Sequence, residues 1–132
     1  VRVCSFSYKE GIPADVTGNG GGFVFDCRAL PNPGREEEFR LLTGIDKPVI
    51  SYLAAQPETG IFFVNICNIV DQAVENYLSR GFQHLMVSFG CTGGQHRSVY
   101  FAGQLCQHLN KRFRMNIEPE HTQKNKWPAR QT

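Results

Sequence analysis

Apolar residues recur along the chain with two different periods, one typical of strands and one typical of helices. Alternation and short continuous apolar runs predict strands over residues 2–8, 23–27, 85–89 and 113–118. Apolar positions three and four apart predict helices over residues 49–55, 59–80 and 98–109, with an acidic helical turn at 35–42. Gly81 directly after the longest helical pattern fits the position at which a helix ends in a left-handed residue.

The order of these elements predicts the fold class. Helices that alternate with strands are typical of an α/β domain with a small, mostly parallel sheet of about four strands and helices on both faces. Right-handed crossovers would bring the carboxyl ends of the first three strands to one edge of that sheet. We expect residues 1–120 to form this single domain and residues 121–132 to form a basic C-terminal tail.

Composition narrows the class of protein further. With 132 residues and 41% hydrophobic content, the chain has enough apolar side chains for one globular core. No apolar run is long enough to span a membrane, so no membrane partner is expected. The five cysteines lack metal-ligand spacing, which predicts no metal, no cofactor and reduced thiols in a cytoplasm.

The charges are unevenly distributed. Residues 1–110 hold eight Lys or Arg against ten Asp or Glu, a balance of −2, whereas residues 111–132 hold six against two, a balance of +4. A basic end of this kind can contact phosphates or can simply be a solvated tail.

The loop between the third strand and the last helix carries the candidate chemistry. It reads Cys-x-x-Gly-x-x-Arg-Ser, and a glycine-rich loop before a helix brings free amides and positive helix-end potential to one place. The predicted phosphate-binding residues are Cys91, Thr92, Gly93, Gly94, Gln95, His96, Arg97 and Ser98. The same edge of the sheet would add Ser5, Ser7, Asp26, Arg28 and Asn32. The alternative is a tight strand-to-helix turn in which Cys91 is only a small buried side chain.

Four segments then indicate a family. Residues 5–13, 25–33, 43–49 and 90–100 together resemble the C-terminal domain of the RapZ family, in order and over most of residues 3–105. The resemblance implies a bacterial RNase adapter protein whose N-terminal half is a P-loop nucleotide-binding domain. It also implies a C-terminal half that binds small regulatory RNA and senses an amino-sugar phosphate.

This chain departs from the family pattern at several positions. Gln95 stands where relatives commonly carry Lys, and Gly34 stands where a His is implicated in sugar-phosphate binding. Glycines at 18–22 lengthen a link that is shorter in relatives, and no Walker-type motif is present. These changes leave a phosphate grip intact and bear on sugar specificity and on adapter activity.

The resemblance also implies partners: a phosphorylated small molecule, structured RNA and further copies of the chain. The basic residues assigned to RNA are Lys111, Arg112, Arg114, His121, Lys124 and Lys126. Trp127, close to Arg130, would either stack on a base or anchor the tail to the domain.

An enzymatic alternative uses the same loop. Cys-x-x-Gly-x-x-Arg-Ser is also the signature of cysteine-dependent phosphatases, in which Cys91 would attack phosphorus, Arg97 would clamp the oxygens and Asp26 would act as general acid. Against this alternative, Gly90 stands before the cysteine where phosphatases usually carry His.

Overall fold

The computed structural model describes residues 1–129, which form a four-stranded sheet with three α-helices. The strands are β1 (Arg2–Ser7), β2 (Phe23–Asp26), β3 (Met86–Cys91) and β4 (Glu120–His121). The helices are α1 (Lys47–Ala54), α2 (Pro57–Arg80) and α3 (Arg97–Phe113). Short 3-10 turns lie at Pro33–Arg35, Glu37–Phe39 and Lys124–Lys126. The predicted small α/β fold with about four strands is confirmed.

The sheet has the strand order β2-β3-β1-β4, and each neighbouring pair is parallel. Ser7 pairs with Cys91, and Asp26 pairs with Gly90, so the first three strands end at the same edge. This edge is where the sequence places its polar residues and its glycine loop. The register therefore brings the candidate site together.

The helices pack on one face of the sheet. Val3, Val87 and Phe89 from the strands belong to one buried cluster with side chains of α1, α2 and α3. Phe89 lies parallel to Phe101 of α3, with ring centroids 6.1 Å apart. Burial of aromatic and branched side chains at this layer supplies the main driving force for folding.

The opposite face is covered, within the described residues, by the long segment 9–22 rather than by a helix. A cavity of about 370 Å³ lies between this segment and the sheet residues Val24, Met86 and Ser88. Gly22 approaches β3 so closely that an added Cβ would lie 1.9 Å from the carbonyl oxygen of Met86. Glycine is therefore required where the segment meets the sheet. Of the two faces expected to carry helices, one carries all three.

The fourth strand lies later in the chain than its predicted position, and the prediction of a strand at 113–118 is wrong. Helix α3 continues to Phe113, and the strand that pairs with β1 is Glu120–His121. Between them, the side chain of Asn110 binds both backbone polar groups of Ile117. Those groups are consequently not available for strand pairing.

The described residues include no helix that is both long enough and apolar enough to cross a membrane.

Candidate functional site

The loop from Cys91 to Ser98 joins β3 to α3. Cys91 ends the strand with only 3% of its surface exposed, and its thiol lies 3.1 Å from the hydroxyl of Ser98. Ser98 itself is fully buried in the first turn of α3. Thr92 and Gly93 are the exposed positions of the loop. The burial of Cys91 agrees with both interpretations of the loop, a phosphate site and a tight strand-to-helix turn. The thiol alone therefore does not distinguish them.

Three carbonyl groups of this loop are held by hydrogen bonds from three different segments. The pairs are Ser7 Oγ to the Thr92 carbonyl at 2.6 Å, Trp127 Nε1 to Gly94 at 3.0 Å, and the Gly44 amide to Gln95 at 2.9 Å. The donors come from β1, from the C-terminal segment and from the loop before α1. The backbone of the loop is thus fixed from outside.

Fixing the carbonyls also fixes the amides. In a trans peptide the C=O and the following N–H point in opposite directions. The amides of Gly93, Gln95 and His96 therefore point away from the groups that hold the loop. None of these three amides has a hydrogen-bond acceptor in the described part of the chain. Unpaired backbone amides in a loop before a helix are the donors that an anion site requires.

Arg97 is the buried cation of the site, with 5% of its surface exposed. Its Nη1 donates to the carbonyl oxygens of Arg28 at 2.8 Å and Leu30 at 3.0 Å. Its Nε is buried and has no partner among the described residues, and none is found for its Nη2 either. The guanidinium therefore anchors the segment after β2 with one nitrogen while two remain unpaired.

Arg97 lines a cavity of about 500 Å³ at the carboxyl edge of the sheet. Arg28 and Arg35 line the same cavity, as do Thr92 of the loop and Asn32. One carboxylate, Glu58 from α2, also faces it. Cys91 is not among the lining residues. The cavity is consequently a cationic concavity that the thiol does not reach.

Asp26 and Arg28 pair with each other beside this cavity. The guanidinium grips both carboxylate oxygens, with Arg28 Nη2 2.8 Å from Asp26 Oδ2, and it lies 3.8 Å from the centre of the Tyr8 ring. This pairing holds the pKa of the Asp26 carboxyl below its ordinary value. A general acid needs a raised pKa to keep its proton near neutral pH. The pKa of Asp26 is lowered instead, so its carboxyl is poorly suited to act as a general acid.

The other predicted edge residues use their polar groups internally. Asn32 accepts a bond from the Gly34 amide at 2.9 Å and shapes the turn after β2. Ser5 Oγ lies 2.6 Å from His121 Nδ1 and ties β1 to β4. Ser7 contacts the loop through Thr92, as described above. The serines therefore support the site and do not line it.

Gln95 and His96 point towards the segment before α1. Gln95 Nε2 donates to the carbonyls of Arg40 and Leu42 at 2.9 and 2.8 Å, and His96 Nε2 donates to Phe39 at 2.8 Å. Burial lowers the pKa of His96, which favours its neutral form. Of the loop residues predicted to bind phosphate, these two offer backbone amides, while their side chains hold residues 39–42.

The six residues assigned to RNA form two separate groups. Lys111, Arg112 and Arg114 lie at the far end of α3, roughly 24 Å along the helix from Arg97. Arg112 is engaged there by Asp71 and Glu75 of α2. His121, Lys124 and Lys126 follow or belong to β4 and lie on the side of the 91–98 loop.

Trp127 is the anchor of the C-terminal segment. Besides its bond to Gly94, its ring lies against that of His121, with centroids 5.3 Å apart. Of the two interpretations that the sequence left open, the structure favours anchoring. Arg130, named with Trp127 as a stacking candidate, lies outside the described residues.

Three participants were not identified from the sequence. Arg35 and Glu58 line the cavity, and Gly44 approaches the loop so closely that a Cβ would lie 2.3 Å from the carbonyl oxygen of His96. Gly44 belongs to a recognised segment, 43–49, so a signal existed for it. Arg35 directly follows the Pro-Asn-Pro-Gly turn. For Glu58 the sequence offers no signal, because it begins a helix far along the chain.

Comparison with known proteins agrees with the segments that indicated a family. A family model described as the RapZ C-terminal domain matches residues 1–125. A nucleotide-binding protein of Staphylococcus epidermidis (strain ATCC 12228) and one of Staphylococcus aureus (strain Newman) are each 40% identical over 121 residues. Those residues make up 92% of this chain but 38% of each relative, so the chain spans well under half their length. The chain belongs to the RapZ C-terminal domain family.

Proposed function

We propose that this domain is a regulatory module that binds a phosphate-bearing small molecule in the cavity above Arg97. The observation that carries the proposal is the state of that residue: an arginine with 5% exposure, two unpaired nitrogens and a place in the wall of a 500 Å³ cavity. Leaving a buried guanidinium partly unpaired is costly unless a ligand completes its hydrogen bonds.

The surroundings support an anion rather than a neutral ligand. Arg35 adds a positive charge to the cavity wall beside Arg97, whereas the charge of Arg28 is matched by Asp26 and Glu58 is the one carboxylate in the lining. The loop that carries Thr92 and leads to Arg97 also holds the unpaired amides of Gly93, Gln95 and His96, which are not part of the cavity lining but are donors of the kind that bind phosphate oxygens. Arginine forks and backbone amides match the geometry of a phosphate group.

The names and lengths of the relatives suggest how the domain acts. Both are named nucleotide-binding proteins and are longer than this chain. We infer that the domain acts within, or together with, a nucleotide-binding partner in a bacterial cytoplasm, as the five free cysteines favour. On the family resemblance, the ligand would be a sugar phosphate.

A phosphatase is the less favoured alternative. Its nucleophile would be Cys91, which is buried and does not line the cavity, and its acid would be Asp26, whose pKa is lowered by Arg28. Nucleophilic attack requires the thiol to reach phosphorus, and leaving-group protonation requires a protonated carboxyl. Both observations favour binding over turnover.

We also propose that RNA contacts the side of the molecule that carries the 91–98 loop. Lys124 and Lys126 are exposed there, and among the described residues Lys126 pairs with the exposed Glu10 at 2.6 Å. Exposed pairs of this kind are weak, so a phosphate backbone can compete for the lysine. Lys111 and Arg114 at the far end of α3 would need a second contact on the same RNA.

The test of phosphate binding compares thermal stabilisation by inorganic phosphate with that by chloride at equal ionic strength. Arg97→Lys keeps the charge but removes the fork, and Arg35→Gln removes a charge from the cavity wall. We expect both to reduce the phosphate-specific rise in Tm. Arg40→Gln, at an exposed position outside the cavity, is the matched control and should keep it. Equal stabilisation of all three variants would place the anion elsewhere.

A further inference from the structure

The C-terminal segment 120–127 lies across the back of the 91–98 loop. It begins as β4 alongside β1 and continues through a bond from the Thr122 amide to the Ser5 carbonyl at 3.1 Å. The Thr122 hydroxyl bonds to the same carbonyl at 3.0 Å. The segment then turns and delivers the indole of Trp127 to Gly94.

Two contacts join this segment to one residue of the loop. Trp127 Nε1 donates to the carbonyl oxygen of Gly94. Gln123, which is buried, packs over the same glycine, where an added Cβ would lie 2.7 Å from its Cγ. Gly94 has a φ of +65°, a conformation that glycine adopts without strain. The segment therefore contacts the loop where its backbone is most adjustable.

The orientation of one peptide plane links these contacts to the anion site. The plane between Gly94 and Gln95 carries the carbonyl that Trp127 binds and the Gln95 amide, which points the opposite way and is unpaired. If the indole releases the carbonyl, nothing else in the described chain holds that oxygen, and the plane can rotate. The Gln95 amide would then turn away from its present direction, in which it is free to donate to an anion.

We propose that residues 120–127 form a strap whose docking through Trp127 holds the 91–98 loop in its anion-binding conformation. Trp127 is a positioning residue: it touches the loop and acts on the ligand through the Gln95 amide. By linkage, an anion in the loop must stabilise the docked strap as much as the docked strap favours the anion. A polyanion bound at Lys124 and Lys126 would act on the same equilibrium. This inference rests on the proposed phosphate site.

The test separates positioning from general stability with one conservative variant. Trp127→Phe keeps an aromatic ring against His121 and removes the indole donor. We expect inorganic phosphate to bind this variant two- to tenfold more weakly, the range for one hydrogen bond, about 0.5–1.5 kcal/mol. The matched control is Asn125→Ala, at an exposed position of the same segment, which should bind phosphate within twofold of the parent.

A second readout follows the strap itself in the unmodified protein. Trp127 is the only tryptophan, so exchange of its indole proton, followed by NMR, reports docking directly. Saturating phosphate should slow this exchange. Phosphate affinity within twofold of the parent in Trp127→Phe, or indole exchange that phosphate does not change, would overturn the strap. Failure of the phosphate site itself looks different, because the parent protein would then bind no phosphate at all.

Discussion

The side-chain amide of Asn110 binds both polar groups of the Ile117 backbone: its Oδ1 accepts from the Ile117 amide at 2.8 Å, and its Nδ2 donates to the Ile117 carbonyl at 2.9 Å. This pair imitates one rung of a strand ladder with a side chain. It fixes the segment that leads from α3 to β4, and so it determines where the last strand meets the sheet.

Asn110→Ala should lower the free energy of unfolding by about 1–3 kcal/mol, because it leaves two partly buried backbone groups unpaired. Urea denaturation at neutral pH measures the change. Asn116→Ala, at an exposed position in the same segment, is the control and should change stability by less than about 0.5 kcal/mol. Equal effects of the two substitutions would show that the two hydrogen bonds between Asn110 and Ile117 contribute nothing to stability.

The hydrogen bonds between Asn110 and Ile117 also explain why the position of the last strand could not be predicted from the sequence. Residues 113–118 look like a strand because Phe113, Met115 and Ile117 alternate with polar residues. These three side chains do pack against the core, as the pattern suggests. Hydrogen bonding, however, comes from Asn110, and apolar periodicity carries no information about a side-chain amide seven residues earlier.

The candidate site was predictable to the extent that strand register determines it. Parallel strands end together, so Asp26, Arg28 and the 91–98 loop were expected at one edge, where the structure has them. The directions of Gln95 and His96 were not predictable. Their partners are carbonyls at residues 39–42, which belong to an irregular segment with no periodic pattern.

Gly44→Ala should destabilise the protein by about 1–3 kcal/mol, because the new methyl group would lie 2.3 Å from the His96 carbonyl oxygen and 2.5 Å from the Tyr100 amide. Thermal unfolding measures the loss. The matched control is Gly60→Ala on the open surface of α2, where an added Cβ would meet nothing beyond its own helix backbone within 4 Å. That substitution should stabilise the protein by about 0.5–1 kcal/mol, the cost of glycine within a helix. A neutral Gly44→Ala would contradict the close packing.

Cys91→Ser should leave phosphate binding within about threefold of the parent, because the thiol does not line the cavity. A threefold change in Kd corresponds to well under about 1.4 kcal/mol, the value for a tenfold change. The parent protein should release no phosphate from an aryl phosphate beyond the rate without protein. Calorimetric titration and a colorimetric phosphate assay measure the two quantities. Phosphate release that requires Cys91 would instead establish a phosphatase.

Acid should weaken the fold because the buried His96 and the partly buried His121 both favour their neutral form. Burial, with a smaller effect from Lys124, lowers the pKa of His121 to about 4, and burial also lowers that of His96. In the unfolded chain both titrate near 6.5. Between about pH 6.5 and 4 the unfolded chain therefore binds more protons, so stability falls as the pH falls through this window.

His121→Gln should reduce that dependence, since glutamine has no proton to gain. The measurement is the free energy of unfolding in urea at pH 7 and pH 5, above the range in which the paired carboxylates of Asp15 and Asp26, whose pKa values are lowered, begin to protonate. His84→Gln, at an exposed position, should keep the dependence of the parent. An unchanged difference between the two pH values in His121→Gln would mean that folding does not lower the pKa of His121.

If RNA binds to the strap, its affinity should depend on the charges of Lys124 and Lys126 and not on those at the far end of α3. Deleting residues 121–132 would not test this, because the deletion also removes part of β4 and Trp127. Lys124→Gln combined with Lys126→Gln removes two exposed charges and keeps the anchor. On a single-stranded RNA this pair should lower affinity and flatten the log–log salt slope by about 1.4, at about 0.7 for each phosphate no longer neutralised.

The control for this experiment is Lys111→Gln combined with Arg114→Gln, which removes the same charge from the far end of α3. The two double variants have equal net charge, so a general electrostatic attraction would weaken both alike and give both the same slope. We expect only the strap variant to lose affinity for an RNA of ten nucleotides or fewer. An RNA held beside the loop reaches Lys124 and Lys126 together, whereas Lys111 and Arg114 lie at the far end of α3. Equal losses in the two variants would remove the strap from RNA recognition and leave a sensor of small phosphorylated ligands.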